Sequence, residues 1–292
     1  MIELVGSITD LGAAGGRLVV TGSHGGDAVG RHALRKGAGA LIFHDAGVGL
    51  DGAGIATLAL FEAHGRPAAA IDHRSARIGD AEDMLRRGIV SHANRLAAER
   101  GVRPGDRAAA AAALLETVPP GDPVEPALLG AASFRRREFV LEGRRVAAPL
   151  RVVILDSASD VRADDGGAII VAGSHGGLPG NSRHRALKAV PLLAFFNDAG
   201  IGIEEAGIRR LPALAEEGIA AACVSAATAR IGDGESTYAD GLVSHLNEPA
   251  RAIGIRSGHP VRELLRLIDW DATANPIART RTAAADSADN NG

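Results

Sequence analysis

The chain has 292 residues, of which 46% are hydrophobic, and this is enough to bury two ordinary cores. Its formal net charge is −3 and no Lys/Arg cluster is interleaved with aromatic residues, so nucleic acid is a poor partner. No apolar stretch approaches the roughly 20 residues needed to span a bilayer, and the N-terminus lacks the layout of a signal peptide. We therefore expect a cytoplasmic protein that contacts neither nucleic acid nor membrane, and a homo-oligomer stays open.

Three motifs built from glycines and polar residues occur twice in the chain, in the same order both times. In addition, residues 45–106 align with residues 198–259 without a gap. The sequence therefore predicts two tandem pseudo-symmetric repeats, 1–106 and 151–270. The three motifs are Gly-Ser-His-Gly-Gly at 22–26 and 173–177, Asp-Ala-Gly-Val/Ile-Gly at 45–49 and 198–202, and Ala-Arg-Ile-Gly-Asp at 76–80 and 229–233.

Short apolar runs rich in β-branched residues precede these motifs, and runs of this kind bounded by glycine predict strands. Most of them end where a repeated motif begins, so the motifs are expected in the loops that follow strands. The runs occupy 2–5, 18–21, 40–43 and 67–71 in the first repeat, and 152–155, 169–172 and 192–196 in the second.

Apolar residues at helical spacing predict one helix over 55–61 and another over 85–96. The second helix would carry His92 on its apolar face. In the second repeat, Pro249 should kink or restart the equivalent helix, with Asn247 as a candidate cap. Strands that alternate with helices predict an α/β fold in which each repeat is a mainly parallel sheet with flanking helices, a Rossmann-like three-layer arrangement.

A linker at 107–150 separates the two repeats. Its alanine-rich start, 107–115, predicts a helix, and residues 134–146 could add a strand that docks the halves together. The tail at 271–292 is polar and without periodicity, and we expect it to be disordered.

The repeated motifs are expected at the carboxyl ends of three strands in each repeat, where α/β sheets bind ligands. Glycine-rich turns at this edge expose backbone amides that can hold an anion, and arginine can hold a carboxylate. The sequence therefore predicts substrate-binding residues in these loops. They are Gly22, Ser23, Gly25, Gly26, Arg77 and Asp80, with their equivalents Gly173, Ser174, Gly176, Gly177, Arg230 and Asp233.

The predicted catalytic residues are His24 with Asp45 and, in the second repeat, His175 with Asp198. Each histidine would act as a general base that its aspartate orients. His44 is set aside, because the second repeat has a different residue type at that position.

These residues also have purely structural interpretations. Asp45 could form a turn or a helix cap, and Arg77 with Asp80 could be an ion pair that closes a loop. His92 and His245 are secondary site candidates, since a histidine on an apolar face is more often a core residue with one hydrogen bond.

No dinucleotide fingerprint or haem motif is present, so no organic cofactor is predicted. A divalent metal held by His24, Asp45 and His92 is a less favoured alternative, because no ligand pair has a typical metal-binding spacing. The single cysteine, Cys223, lies in an apolar run and should be a small buried residue.

The sequence thus favours a hydrolase or lyase that acts on a small anionic metabolite through histidine and aspartate. The alternative is a non-catalytic metabolite-binding or regulatory module. In a third interpretation the motifs are wholly structural, and their side chains would be hydrogen-bonded internally around no pocket.

Overall fold

The computed structural model describes residues 2–119, 121–130, 134–141, 149–178 and 187–268. The tail at 271–292, which the sequence predicts to be disordered, lies outside the described residues. Among the helices that are described, none has both the length and the apolar character to cross a membrane.

Strands within 1–106, the segment called the first repeat because it shares motifs with 151–270, form a five-stranded mixed sheet. The strand order is β1-β2-β3-β4-β5, with the first four strands parallel and β5 antiparallel to β4. The strands are β1 Ile2–Val5, β2 Leu18–His24, β3 Ala40–His44, β4 Ala68–Ile71 and β5 Val90–Ala93.

Residues of the second repeat, with part of the linker, form a six-stranded mixed sheet in the order β11-β10-β9-β8-β7-β6. Strands β7 to β10 are parallel, and the two edge strands β6 and β11 are antiparallel to their neighbours. The predicted α/β class is therefore confirmed. The strands are β6 Arg136–Leu141, β7 Leu150–Leu155, β8 Ile169–His175, β9 Leu193–Asn197, β10 Ala220–Val224 and β11 Val243–Leu246.

Helices cover both faces of the sheets. The α-helices are α1 Asp27–Arg35, α2 Thr57–Ala63, α3 Ala81–Arg87, α4 Arg95–Glu99, α5 Ala108–Leu115, α6 Pro126–Leu129, α7 Arg210–Glu216, α8 Gly234–Ala239, α9 Glu248–Ala252 and α10 Val261–Leu267. Short 3₁₀ segments lie at Ile8–Asp10, Leu50–Ile55, Ala158–Asp160, Ala163–Asp165 and Ile203–Ile208.

The central strands are buried on both faces, because each sheet is a middle layer between helices. In β3, Phe43 packs in the same cluster as Phe61 of α2, whereas Ile42 packs on the opposite face with Met84 of α3. This arrangement explains why the strand runs are continuously apolar instead of alternating.

The helix predicted over 85–96 is wrong. The chain leaves α3 at Gly88, forms strand β5 and then begins α4, so His92 lies on an edge strand. Gly88 adopts an extended conformation, and a Cβ at this position would lie 2.3 Å from the Met84 carbonyl oxygen. Asn94 then caps α4 by accepting a hydrogen bond from the Ala97 amide at 3.0 Å.

Other local predictions are confirmed. The alanine-rich segment forms α5, and α9 begins at Glu248 with Asn247 as its cap and Pro249 in its first turn. Within the predicted 134–146 strand, residues 136–141 form β6, which extends the second sheet by pairing with β7, whereas residues 142–146 lie outside the described residues. That this strand docks the halves together stays a prediction.

The carboxyl ends of the two sheets face each other across the boundary between the repeats. The Leu50 amide donates to the Ala226 carbonyl at 2.8 Å, and the Ile203 amide donates to the His73 carbonyl at 2.8 Å. Between them Gly47 meets Gly200 so closely that a Cβ on Gly47 would lie 2.9 Å from the Gly200 Cα. A small apolar cluster completes the contact and consists of Ala46, Ile78, Ala199, Ala206 and Ile231.

Candidate functional site

A cavity of about 210 Å³ lies between the repeats, where the two Gly-Ser-His-Gly-Gly loops approach each other. Equivalent residues from both repeats line it, so each repeat contributes a similar set of hydroxyl and imidazole groups. The polar lining residues are Ser7, Thr9, Ser23 and His24 from the first repeat, and Asp156, Ser157, Ser159, Ser174, His175, Lys188 and Arg210 from the second.

His24 ends strand β2 and is 6% exposed. Its Nδ1 accepts a hydrogen bond from the Gly26 amide at 3.0 Å, so the neutral ring carries its proton on Nε2. Burial, assisted by the positive potential of His44, lowers the pKa of His24 to about 4. At neutral pH His24 is therefore an uncharged hydrogen-bond donor.

His175 repeats this geometry at the end of β8. Its Nδ1 accepts from the Gly177 amide at 3.1 Å, which again leaves Nε2 as the protonated nitrogen. Burial lowers the pKa of His175 well below its usual value, and nearby Arg210 and His24 lower it further.

The serines beside the two histidines are positioned by the preceding loop. The Ile8 amide donates to Ser23 Oγ at 2.9 Å, and the Ala158 amide donates to Ser174 Oγ at 2.8 Å. Each hydroxyl accepts a backbone hydrogen bond in this arrangement and keeps its own hydrogen to donate. The cavity thus holds two matched Ser and His donor pairs.

Arg210 and Lys188 are lining residues that the sequence analysis did not single out. Arg210 is 4% exposed, donates from Nε and Nη2 to the Gly177 carbonyl at 3.2 and 2.9 Å, and stacks 4.8 Å from the Phe196 ring centroid. Burial lowers the pKa of Arg210 to about 10, so it remains protonated at neutral pH. Lys188 donates to the Ser159 carbonyl at 2.5 Å. Alignment of the repeats could have flagged Arg210, because the first repeat has Thr57 there.

In the described part of the chain, Asp45 is not hydrogen-bonded to His24. Asp45 Oδ1 accepts from the Gly47 amide at 3.0 Å, the His73 amide at 2.9 Å and His73 Nδ1 at 3.0 Å. In the second repeat, Asp198 accepts from the Gly200 and Ala226 amides at 3.0 and 2.9 Å. Both aspartates therefore tie the turn after one strand to the loop after the next.

His44 and Asn197 have the same hydrogen-bonding role despite their different residue types. His44 Nδ1 accepts from the Ala46 amide at 3.1 Å, and its Nε2 lies 3.0 Å from the Ala76 carbonyl. Asn197 accepts from the Ala199 amide and donates to the Ala229 carbonyl, each at 2.9 Å. The difference in residue type between the repeats therefore hides a structural role that His44 and Asn197 share.

Arg77 and Asp80 do not reach the histidine cavity. Asp80 caps α3 and accepts from Arg77 Nη2 at 3.0 Å, while Arg77 Nη1 pairs with Glu204 of the second repeat at 3.0 Å. These residues line a separate cavity of about 340 Å³.

Arg230 and Asp233 occupy the equivalent place in the second repeat. Asp233 caps α8, and Arg230 pairs with Asp51 of the first repeat at 2.6 Å. They line a further cavity of about 510 Å³.

The secondary candidates His92 and His245 lie on the edge strands β5 and β11. The Nδ1 atom of each is buried without a hydrogen-bond partner in the described part of the chain. Neither residue is among those that line the histidine cavity.

Asp45, Asp72 and His73 could hold a divalent metal, since their ligand atoms lie within 4.8 Å of one another. This group differs from the predicted set of His24, Asp45 and His92. Asp72 is also paired with Arg74, whose Nη2 lies 2.8 Å from Asp72 Oδ2, and this positive charge would oppose a cation.

No protein-family model matches the chain, and neither a curated protein nor a solved structure matches it.

Proposed function

We propose that the cavity between the repeats binds a small anionic metabolite and that the protein is a hydrolase or lyase acting on it. The observation that carries the proposal is the convergence of His24 and His175, from equivalent loops, on one cavity. The matching strand orders and the paired contacts between the halves support treating 1–106 and 151–270 as pseudo-symmetric repeats.

The two histidines act as neutral hydrogen-bond donors in this proposal. Because Nδ1 of His24 and of His175 accepts a backbone amide hydrogen, Nε2–H is what each ring offers a ligand. Donors fixed in a dry site stabilise negative charge that develops on a carbonyl oxygen. They would therefore polarise the substrate, and this role replaces that of a general base.

A non-catalytic metabolite-binding module is the second candidate. Asp156 is the carboxylate among the described lining residues, and its oxygens accept from Arg135 Nε at 2.8 Å, Arg135 Nη2 at 3.1 Å and the Gly234 amide at 3.1 Å. These donors occupy the oxygens of Asp156, which is therefore a structural group rather than a free base in the cavity. The scarcity of a free base favours binding without turnover.

The test is an NMR titration of the full chain with acetate, butyrate, succinate and inorganic phosphate, compared among alanine variants. His24→Ala and His175→Ala should each weaken binding about tenfold or more, since a hydrogen bond to a charged group contributes roughly 1.5–3 kcal/mol. His92→Ala and His245→Ala are matched controls, because these histidines also occur in both repeats but lie away from the cavity.

Binding that is unchanged in both cavity variants, or no binding of any probe, would contradict the proposal. Turnover distinguishes the two candidates. An enzyme should lose its turnover when His24 or His175 is replaced, whereas a binding module shows none in any variant.

A further inference from the structure

The two repeats differ in charge at one equivalent position, which in the second repeat lines the histidine cavity. Thr57 in the first repeat donates from Oγ1 to the Gly26 carbonyl at 3.0 Å. Arg210 takes its place in the second repeat and donates from Nη2 to the Gly177 carbonyl at 2.9 Å. Arg210 thus makes the hydrogen bond that threonine makes and adds a positive charge to the cavity wall.

One amino group of Arg210 remains available. Nε and Nη2 both donate to Gly177, whereas Nη1 has no hydrogen-bond partner among the described residues. Arg210 lines the cavity. Although the residue is only 4% exposed, Nη1 is thus the group of its guanidinium that is left to bind a ligand there.

Arg210 forms no ion pair with the described residues, because none of their carboxylate oxygens lies within 4.0 Å of its guanidinium nitrogens. The other charged lining residues have partners. Asp156 pairs with Arg135 at 2.8 Å, and Lys188 lies within electrostatic range of Asp160. Since a buried charge is costly unless it is paired, Arg210 favours a ligand with one negative charge.

The first repeat contributes a different surface to the same cavity. Ile8 and Val29 are buried apolar lining residues, and Phe134 from the linker adds an aromatic ring. Among the described lining residues, the first repeat supplies no lysine or arginine. A second acidic group on the ligand would therefore meet no cation at this end.

We propose that the ligand is a monocarboxylate whose carboxylate lies between Arg210 and the two histidines, His175 and His24, and whose uncharged end lies against Val29 and Phe134. This inference rests on the proposed function, because it specifies the ligand of the same cavity. Nη1 of Arg210 and the Nε2 atoms of His175 and His24 supply the donors for the two carboxylate oxygens, with the Ser174 hydroxyl beside them.

The experiment is an NMR titration of the full chain with butyrate, succinate, butyramide and inorganic phosphate. The wild type should bind butyrate more tightly than the other three probes. Arg210→Thr, which introduces the residue of the first repeat, should weaken butyrate binding at least tenfold. Arg210→Lys should retain more of that affinity, because it keeps the charge. Arg209→Thr is the matched control, since Arg209 pairs with Glu204 outside this cavity, and it should leave binding unchanged.

The outcomes separate the inference from the proposed function. Tighter binding of succinate or phosphate, or an Arg210→Thr variant that binds butyrate like the wild type, overturns the monocarboxylate while the anion cavity stands. If the folded wild type binds none of the probes, both are overturned. Melting temperatures of the variants separate lost binding from lost folding, and equal affinities for Arg210→Lys and Arg210→Thr would exclude a role for the charge.

Discussion

At the residue scale, Asp45 and Asp198 connect equivalent pairs of loops through different hydrogen-bond partners. Both accept two backbone amide hydrogen bonds, but only Asp45 also accepts from an imidazole, because the first repeat has His73 where the second has Ala226. The hydrogen bond with Asp45 raises the pKa of His73 above its usual value. His73 is therefore a pH-dependent contact at the boundary between the repeats.

We expect His73 to stabilise the fold most on the acid side of neutrality. Because its folded pKa lies above the unfolded value of about 6.5, its contribution is complete below that pH and is lost as the pH rises through the folded pKa. Melting temperatures of the wild type and His73→Ala from pH 5.5 to 9 measure this contribution as their difference.

That difference should be largest at pH 5.5 and should shrink toward pH 9. The buried His24, His44 and His175, whose pKa values are lowered, act in the opposite direction but are present in both proteins. A difference that is constant or grows with pH would exclude a charged His73–Asp45 pair.

The residue scale also shows the limit of sequence inference. The repeated motifs identified His24, Ser23 and their equivalents as cavity residues, because glycine-flanked polar groups after strands commonly approach ligands. They also suggested a His24–Asp45 pair that the hydrogen bonds do not form. Which atom of Asp45 reaches which amide depends on loop conformation, and spacing along the chain does not encode it.

At the element scale, the turn after β3 and its equivalent after β9 have an unusual backbone. Residues 46–49 and 199–202 all have positive φ, including the β-branched Val48 at 63° and Ile201 at 66°. This region is unfavourable for branched side chains. The Gly54 amide holds the first turn by donating to the Val48 carbonyl at 2.8 Å. The turns bring Gly47 and Gly200 into contact, so this backbone shapes the junction of the repeats.

Replacement of Val48 by glycine should keep or raise the melting temperature. Relief of the unfavourable left-handed conformation stabilises the folded state by about 1–2 kcal/mol. The greater backbone freedom of glycine in the unfolded chain costs roughly 0.5–1 kcal/mol, so the net change is neutral or favourable. Val90→Gly is the control, because Val90 is buried in β5 and its loss should cost roughly 3 kcal/mol. Equal losses in the two variants would show that Val48 is not strained.

Helices and strands whose residues follow one regular pattern along the sequence were predictable. Strands β1 to β4 and β7 to β9 coincide with the predicted apolar runs, and α5 coincides with the alanine-rich segment. The segment from Leu85 to Leu96 was predicted wrongly, because its apolar residues fit helical spacing although the chain changes from helix to strand at Gly88. Gly88 was the available signal, since its close approach to Met84 leaves no room for a Cβ.

At the scale of the whole molecule, reciprocal ion pairs join the repeats. Arg77 of the first repeat pairs with Glu204 of the second, and Arg230 of the second pairs with Asp51 of the first. Motif spacing places each arginine beside its neighbouring aspartate and does not indicate the partner of Arg77, Glu204, which is 127 residues away. Long-range pairing of this kind follows from the facing sheets, which motif spacing does not reveal.

The double variant Asp51→Asn/Glu204→Gln should lower the melting temperature slightly and reduce its dependence on salt. These pairs are partly exposed, so their contribution is small and is screened at high ionic strength. Calorimetry at 0.05 and 1 M NaCl would measure it. Glu62→Gln, which leaves the boundary intact, is the control. An undiminished salt response in the double variant would show that the pairs do not couple the repeats.

The central claim is that both repeats form one binding cavity, with His24 and His175 as neutral donors to the same ligand. Nitrogen NMR of the histidine rings during a butyrate titration at pH 7 tests it most directly. We predict that both rings carry the proton on Nε2 before ligand is added, and that both signals move with the same saturation curve. Rings that are charged at pH 7, or signals that move independently or stay fixed, would contradict a shared site.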